Sequence, residues 1–418
     1  MTTNHKSKAI WVGLLVLTLL ACNLAGGATS TATSTATPPA TTVAATAAAP
    51  PSPTAAPART FDLSVFKRGL DPAVAAYLSA DNVAGCAVGI VYPDPSGQQL
   101  VSQSFSYGLA SRATQQPVTA ATLFEIGSIT KVFTSDLLAL FVTQNRMALT
   151  DPLQKYLPAT VHVPTYGQQA ITLVELATHT SSLPRTPGLP AVRDINGVSV
   201  FGYATESELF AALSGYQLTH APGTQWLYSN FANSLLGLAE EKASGTSYES
   251  GVVNQIIGPL GLAHTRITLT PAEQANLAQG YTANGQPAPS VANSGASLAA
   301  GALRSNIQDM DAYLIANIDP GATRLAAPLR LTQQRQSIGP RPNVVMGLGW
   351  MIINPGAPSE QFAKDGATAG YTAYAAYSTR ARTGFAALCN GHNVSQDLAP
   401  KINQLIGASE TVSDDATP

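Results

Sequence analysis

Ser128 and Lys131 stand three residues apart, where a polar loop gives way to the apolar run 132–142. Val132, Phe133, Leu137, Leu138, Leu140 and Phe141 recur at helical spacing, which puts Ser128 at or near a helix N-terminus and Lys131 on the same face. A serine hydroxyl is a poor nucleophile by itself. An amine one turn away, its pKa lowered by partial burial, can take the hydroxyl proton, and the free N–H groups of a helix start can receive an oxyanion. The spacing alone has little weight, because Ser64 and Lys67 repeat it by chance.

Two later stretches add reactive groups. Tyr228 and Asn230 offer a phenol and an amide two residues apart, which alternation on an extended segment would aim the same way. Lys364, Asp365, Gly366 and Ala367 precede a strand-like run, where the glycine would let a substrate backbone come close. Each has an ordinary alternative, Tyr228 as a core aromatic and Lys364 as a solvated strand-edge charge.

The elements that must position these groups can be read in outline. The run 83–91, the turn residues 94–97 and the alternating 100–107 predict a β-hairpin. Helical patterns cover the residues after Ser128, a start at Pro152, and 172–179, where Thr172 and Glu175 form a capping box. They continue through 206–213, 232–242 and 305–315, the last with Ser305 and Gln308 as a second box. Strand texture returns at 349–353, 371–377 and 384–388, and a final helix is expected over 398–406. Strands from both ends with helices between them predict an α+β domain, its sheet closed by the N- and C-terminal segments, with a mostly helical lobe and a cleft beside it.

Ser-x-x-Lys, Tyr-x-Asn and Lys-x-Gly in this order resemble the class C β-lactamases and low-molecular-weight penicillin-binding proteins. The stretches 124–131, 171–184 and 221–230 extend the likeness, and 163–166 with 176–181 look closest to AmpH-type DD-carboxypeptidase/endopeptidases. The resemblance implies a β-lactamase/transpeptidase-like fold and an acyl-enzyme on Ser128. It further implies that Lys131 and Tyr228 share the proton, that Lys364 is a second cation beside the phenol, and that Asn230 orients the substrate amide. Backbone N–H groups of Ser128 and Ala367 would form the oxyanion hole. Asp365 departs from the family pattern, which has Thr or Ser there to help hold a substrate carboxylate. An anion at that place puts strong β-lactamase activity in doubt, and recognition of a free C-terminal D-Ala with it, unless Lys364 or another cation neutralises it or the side chain points away.

The expected activity is therefore a penicillin-binding DD-peptidase on D-Ala peptides of peptidoglycan, with weak β-lactam hydrolysis. The alternatives are a class C-type β-lactamase, or an esterase or D-amino-acid amidase on the same fold. A silent β-lactam sensor would need a missing motif, and all three are present. No Gly-x-Ser-x-Gly elbow points to a Ser-His-Asp hydrolase, and six scattered histidines give no metal motif, so no metal or cofactor is expected.

Lys6 and Lys8, the apolar 10–20 and the small residue before Cys22 resemble a bacterial lipoprotein signal, so 1–21 are expected to be cleaved and Cys22 lipidated. Residues 22–60, rich in Ala, Thr and Pro, read as a disordered tether, 61–408 as the hydrolase domain and 409–418 as a polar tail. The localisation this implies is the cell envelope, outside the cytoplasm and anchored to a membrane. A net charge of −2 without a basic stripe argues against a nucleic-acid partner, and the domain reads as a monomer. Cys86 and Cys389 are too few for a disulfide scaffold and read as two buried thiols, although export would permit a bond.

Overall fold

Nine strands form one antiparallel sheet in a computed structural model that describes residues 59–80, 82–186, 193–195, 198–200, 204–290 and 295–412. Across the sheet the order is Ser337–Ile338, Val344–Met346, Met351–Ile353, Gln361–Ala367, Thr372–Ser378, Thr383–Cys389, Gly85–Pro93, Leu100–Ser111 and Gln116–Pro117. Strands from both ends of the domain thus meet at the centre, where Thr383–Cys389 pairs with Gly85–Pro93. The expected hairpin is present, with Gly85 opposite Gly108 and Pro93 opposite Leu100.

The central strands are covered on both faces, which is why they read as unbroken apolar runs. Cys86, Val88 and Ile90 join Phe385, Ala387 and Cys389 beneath Phe66, Leu70, Val74 and Tyr77 of the helix Leu63–Ala80 and Ile402 of the helix Ala399–Ser409. Ala87, Val91, Ala386 and Leu388 face the other way. There they share one continuous core with the helices Thr130–Thr143, Asn230–Ser244 and Ile307–Ile318. Period-2 alternation sorts the side chains onto two layers even though both layers are apolar.

Several expectations change in detail. Cys86 and Cys389 are a disulfide rather than two thiols: they sit directly opposite each other in neighbouring antiparallel strands, with Cα atoms 4.2 Å apart. Their separation of 303 residues hid that pairing. The Thr172–Glu175 capping box forms, but the second box does not. Asn306 caps Ile307–Ile318 by accepting from the Asp309 N–H at 2.9 Å, and Ser305 is drawn into a two-residue pairing with Phe124. The segment after Pro152 makes only a 3-10 turn, Leu153–Tyr156. At the edges of the expected domain, Arg59–Phe61 pairs with Glu410–Val412, so ordered structure reaches into both the tether and the tail. The signal segment, Cys22 and most of the tether lie outside the described residues.

Candidate active site

The nucleophile candidate sits on a turn wedged against the sheet edge. Ser128 is the middle residue of the 3-10 turn Gly127–Ile129, which runs directly into Thr130–Thr143. Gly127 has φ +49°, and a Cβ there would come within 2.6 Å of the Ala367 nitrogen. A Cβ on Gly366 would meet the Ile126 carbonyl oxygen at 2.0 Å. These two glycines let the serine turn and the Gln361–Ala367 strand touch, which brings the backbone of Ser128 beside that of Ala367. Gly366, expected to make room for a substrate backbone, makes room for the chain's own turn instead.

Two side chains converge on Ser128, and a third braces one of them. Lys131 Nζ donates to Ser128 Oγ at 3.0 Å and to Asn230 Oδ1 at 2.8 Å, and also to the Ala300 carbonyl. Tyr228 OH lies 2.5 Å from Ser128 Oγ. Asn230 reaches Lys131 from the first turn of Asn230–Ser244, whose N-cap Ser229 accepts from the Ala232 N–H at 2.9 Å. Tyr228 and Asn230 are aimed together across Ser229, whose backbone is extended (φ −135°, ψ 114°), where a loop enters the helix. Ser64 and Lys67, the pair with the same spacing, lie far off on Leu63–Ala80, where Lys67 pairs with Asp71 at 2.6 Å.

Around the phenol stand three cations, with Arg185, Lys131 and Lys364 at 4.9, 5.1 and 5.3 Å from the Tyr228 ring centroid. Burial pushes the Tyr228 pKa up, but Lys131 and Lys364 outweigh it and bring it down to about 8. Complete burial lowers Lys131, the Lys364 charge adds to this, and its pKa also comes to about 8. Lys364 moves the other way. Burial would depress it, but Asp365 and Tyr228 more than compensate and raise it. Its ammonium donates to the Asp365 carbonyl at 3.0 Å and lies 3.3 Å from the Asp365 carboxylate, which it holds below the usual range. That carboxylate is half-exposed, so solvent screens the pair.

A cleft of about 390 Å³ opens over these groups, lined among others by Ser128, Tyr228, Asn230, Lys364, Asp365 and Ala367. Its further lining residues, His179, Arg185 and Trp226 among them, were not sequence candidates. His179 is buried, with φ +62°, and its Nδ1 accepts from the Ser229 N–H at 3.2 Å. Its ring packs 4.5 Å from that of Tyr228, centre to centre. Burial and the charges of Lys131, Lys364 and Arg185 hold the imidazole well below its ordinary pKa, so it is neutral. Arg185 follows directly on the stretch that resembles the family, and only its neighbours in space mark it out.

The sequence profile of the beta-lactamase family matches residues 70–407. A beta-lactamase of Escherichia coli is 32% identical over 282 residues, 66% of this chain and 68% of that protein. A beta-lactamase of Pseudomonas fluorescens is 27% identical over 376 residues, 82% of this chain and 98% of its own length. The D-alanyl-D-alanine-carboxypeptidase/endopeptidase AmpH of Escherichia coli is 44% identical over 147 residues, which covers 35% of this chain and 37% of that enzyme.

Proposed function

Since the chain belongs to the beta-lactamase family and is a serine hydrolase, we propose that it is a penicillin-binding DD-peptidase that cleaves D-alanyl peptides of peptidoglycan and hydrolyses β-lactams slowly. The observation that carries the choice is the Lys364–Asp365 pair, 3.3 Å apart in the cleft. It puts an anion where the family pattern has a neutral hydroxyl, which weakens the hold on the carboxylate of a penicillin or cephalosporin and equally on that of a free C-terminal D-alanine. It so favours D-alanyl peptides whose leaving amine carries no carboxylate close to the scissile bond.

In the proposed cycle Ser128 Oγ attacks the scissile carbonyl carbon and its proton passes to the Lys131–Tyr228 pair. Both members have a pKa of about 8, so the pair holds one removable proton near neutral pH. The oxyanion is received by the N–H groups of Ser128 and Ala367, where losing one donor typically costs about 3 kcal/mol. Tyr228 then gives the proton to the leaving nitrogen, the C–N bond breaks, and the free amine departs. Water attacks the ester in the reverse sense, its proton returning through Tyr228, and the carboxylic acid leaves with Ser128 restored. Asn230 Oδ1 fixes the Lys131 amine, and among the described residues nothing takes its Nδ2 hydrogens, which suits a substrate carbonyl.

The test sets muropeptides, nitrocefin and a p-nitrophenyl ester side by side on the soluble domain. Fastest turnover of the muropeptides is expected, cross-linked ones ahead of those ending in free D-alanine. The second reading, a β-lactamase proper, is favoured by the two long matches to proteins of that name, and fastest turnover of nitrocefin would replace the peptidase with it. We also propose that Cys22 is the lipid anchor of an envelope enzyme, and Cys22→Ser should abolish metabolic labelling by a palmitate analogue. Persisting label would remove the anchor.

A further inference from the structure

The cations in the cleft differ in what their donors already hold. Lys131 directs its ammonium to Ser128, Asn230 and Ala300, which engages all three hydrogens. Lys364 is tied to the carbonyl and carboxylate of Asp365. Arg185 is exposed, lines the same cleft, and has neither an ion pair nor a side-chain hydrogen bond among the described residues. Its guanidinium lies 4.9 Å from the Tyr228 ring centroid. Five N–H donors in a planar fork match a carboxylate in two-point geometry.

The wall on which Arg185 stands is also defined. Its carbonyl accepts from the Asn230 N–H at 2.9 Å, so its backbone belongs to the Asn230 side of the cleft. If the carbonyl that Asn230 receives belongs to the acyl part of the substrate, the strand wall with its Asp365 is left to the leaving part. We propose that Arg185 forms an anion subsite for the acyl half, which selects peptides or esters bearing a carboxylate near the scissile carbonyl on that side. This rests on the serine hydrolase reading above and deepens it. One wall, with Asp365, disfavours a carboxylate on the leaving group, while the other, with Arg185, favours one on the acyl group.

Two esters with the same five-carbon acyl chain separate charge from shape: p-nitrophenyl pentanoate, which is neutral, and mono-p-nitrophenyl glutarate, which ends in a carboxylate. With spontaneous hydrolysis subtracted, the parent enzyme should show the higher kcat/KM on the glutarate. In Arg185→Gln the glutarate-to-pentanoate ratio should fall about tenfold or more, mainly through KM, as expected for a charge-assisted pair. Arg185→Lys should recover part of it. Because both esters meet the same variant, any general effect on folding or on Tyr228 cancels in the ratio. An unchanged ratio, with the pH profile displaced equally for both esters, would mean that Arg185 acts only on the Tyr228 charge and would overturn the subsite. No Ser128-dependent hydrolysis of either ester would instead strike the catalytic reading, a result distinct from hydrolysis that ignores the carboxylate.

Discussion

Two lysines flank the same phenol at nearly equal distance, both are almost wholly buried, and they are driven in opposite directions. Lys131 has amide, hydroxyl and carbonyl partners but no carboxylate, so burial prevails and its pKa falls to about 8. Lys364 has Asp365, so the carboxylate prevails over burial and its pKa rises. The difference is one neighbour, and it divides the labour. One lysine can lose and regain a proton near neutral pH, and the other stays a fixed charge that holds Tyr228 down.

The comparison has meaning only if Ser128 is the reacting group, and the largest effect tests that. Ser128→Ala should abolish the penicillin adduct in intact-mass analysis and Ser64→Ala should keep it. An adduct surviving on Ser128→Ala would end the scheme. Next comes the exchange that separates a proton carrier from a permanent charge. Lys131→Met and Lys131→Arg should each slow acylation by about 10²–10⁴-fold, since neither side chain can take the proton. Lys364→Arg should lose less than about tenfold, because it keeps the charge. If Lys131→Arg retained activity as well as Lys364→Arg does, Lys131 would also be a fixed cation, and Tyr228 would act alone.

The pH dependence sharpens the same point. Both pair members are lowered, Lys131 from 10.5 and Tyr228 from 10.0, so the base form appears on raising the pH through about 8. Acylation kcat/KM should climb along a limb near 8, and a limb near 10 would mean that neither group is shifted. Lys364→Gln removes one of the cations that lower Tyr228, so its limb should move to higher pH by about one unit, or about 1.4 kcal/mol. Asp365→Asn should move it slightly lower, because Asp365 raises Lys131.

The smallest effect concerns Asp365 itself. A full charge at about 4 Å repels a carboxylate by roughly 4 kcal/mol at an effective dielectric of 20. The ion pair with Lys364 and exposure to water leave only a fraction of that in play, and a quarter of it is about fivefold in rate. Asp365→Thr should therefore raise the nitrocefin-to-neutral-ester ratio by about fivefold. An unchanged ratio would mean that the Lys364 pair already cancels the charge.

What could be read from the chain follows from how local each cause is. The Ser128 helix announced itself because its apolar spacing lies within one element, as did the Thr172–Glu175 cap. Ser128, Lys131, Tyr228 and Asn230 were legible as motifs and do meet in space. Arg185 and His179 were not, since their importance comes from a ring that arrives from another loop. The Ser305 box failed because a neighbouring asparagine one residue on competed for the same cap, and tertiary pairing with Phe124 took the serine. Gly366 was marked as special for the right property, the lack of a side chain, but the contact it permits is internal.

The disulfide between Cys86 and Cys389 also bears on how the molecule comes into being. Its two strands are neighbours at the centre of the sheet, yet 303 residues of chain separate the cysteines. Synthesis at about 5–20 residues per second leaves the first strand waiting some 15–60 s for its partner. During that interval an apolar strand edge and a thiol are both exposed, and the helical residues between them have no finished sheet to pack on. Closure of the sheet is thus a late and non-local event, of the kind that folds slowly. A nascent chain stopped before Thr383 should remain open to proteases and to thiol reagents at Cys86, whereas the completed chain should resist both.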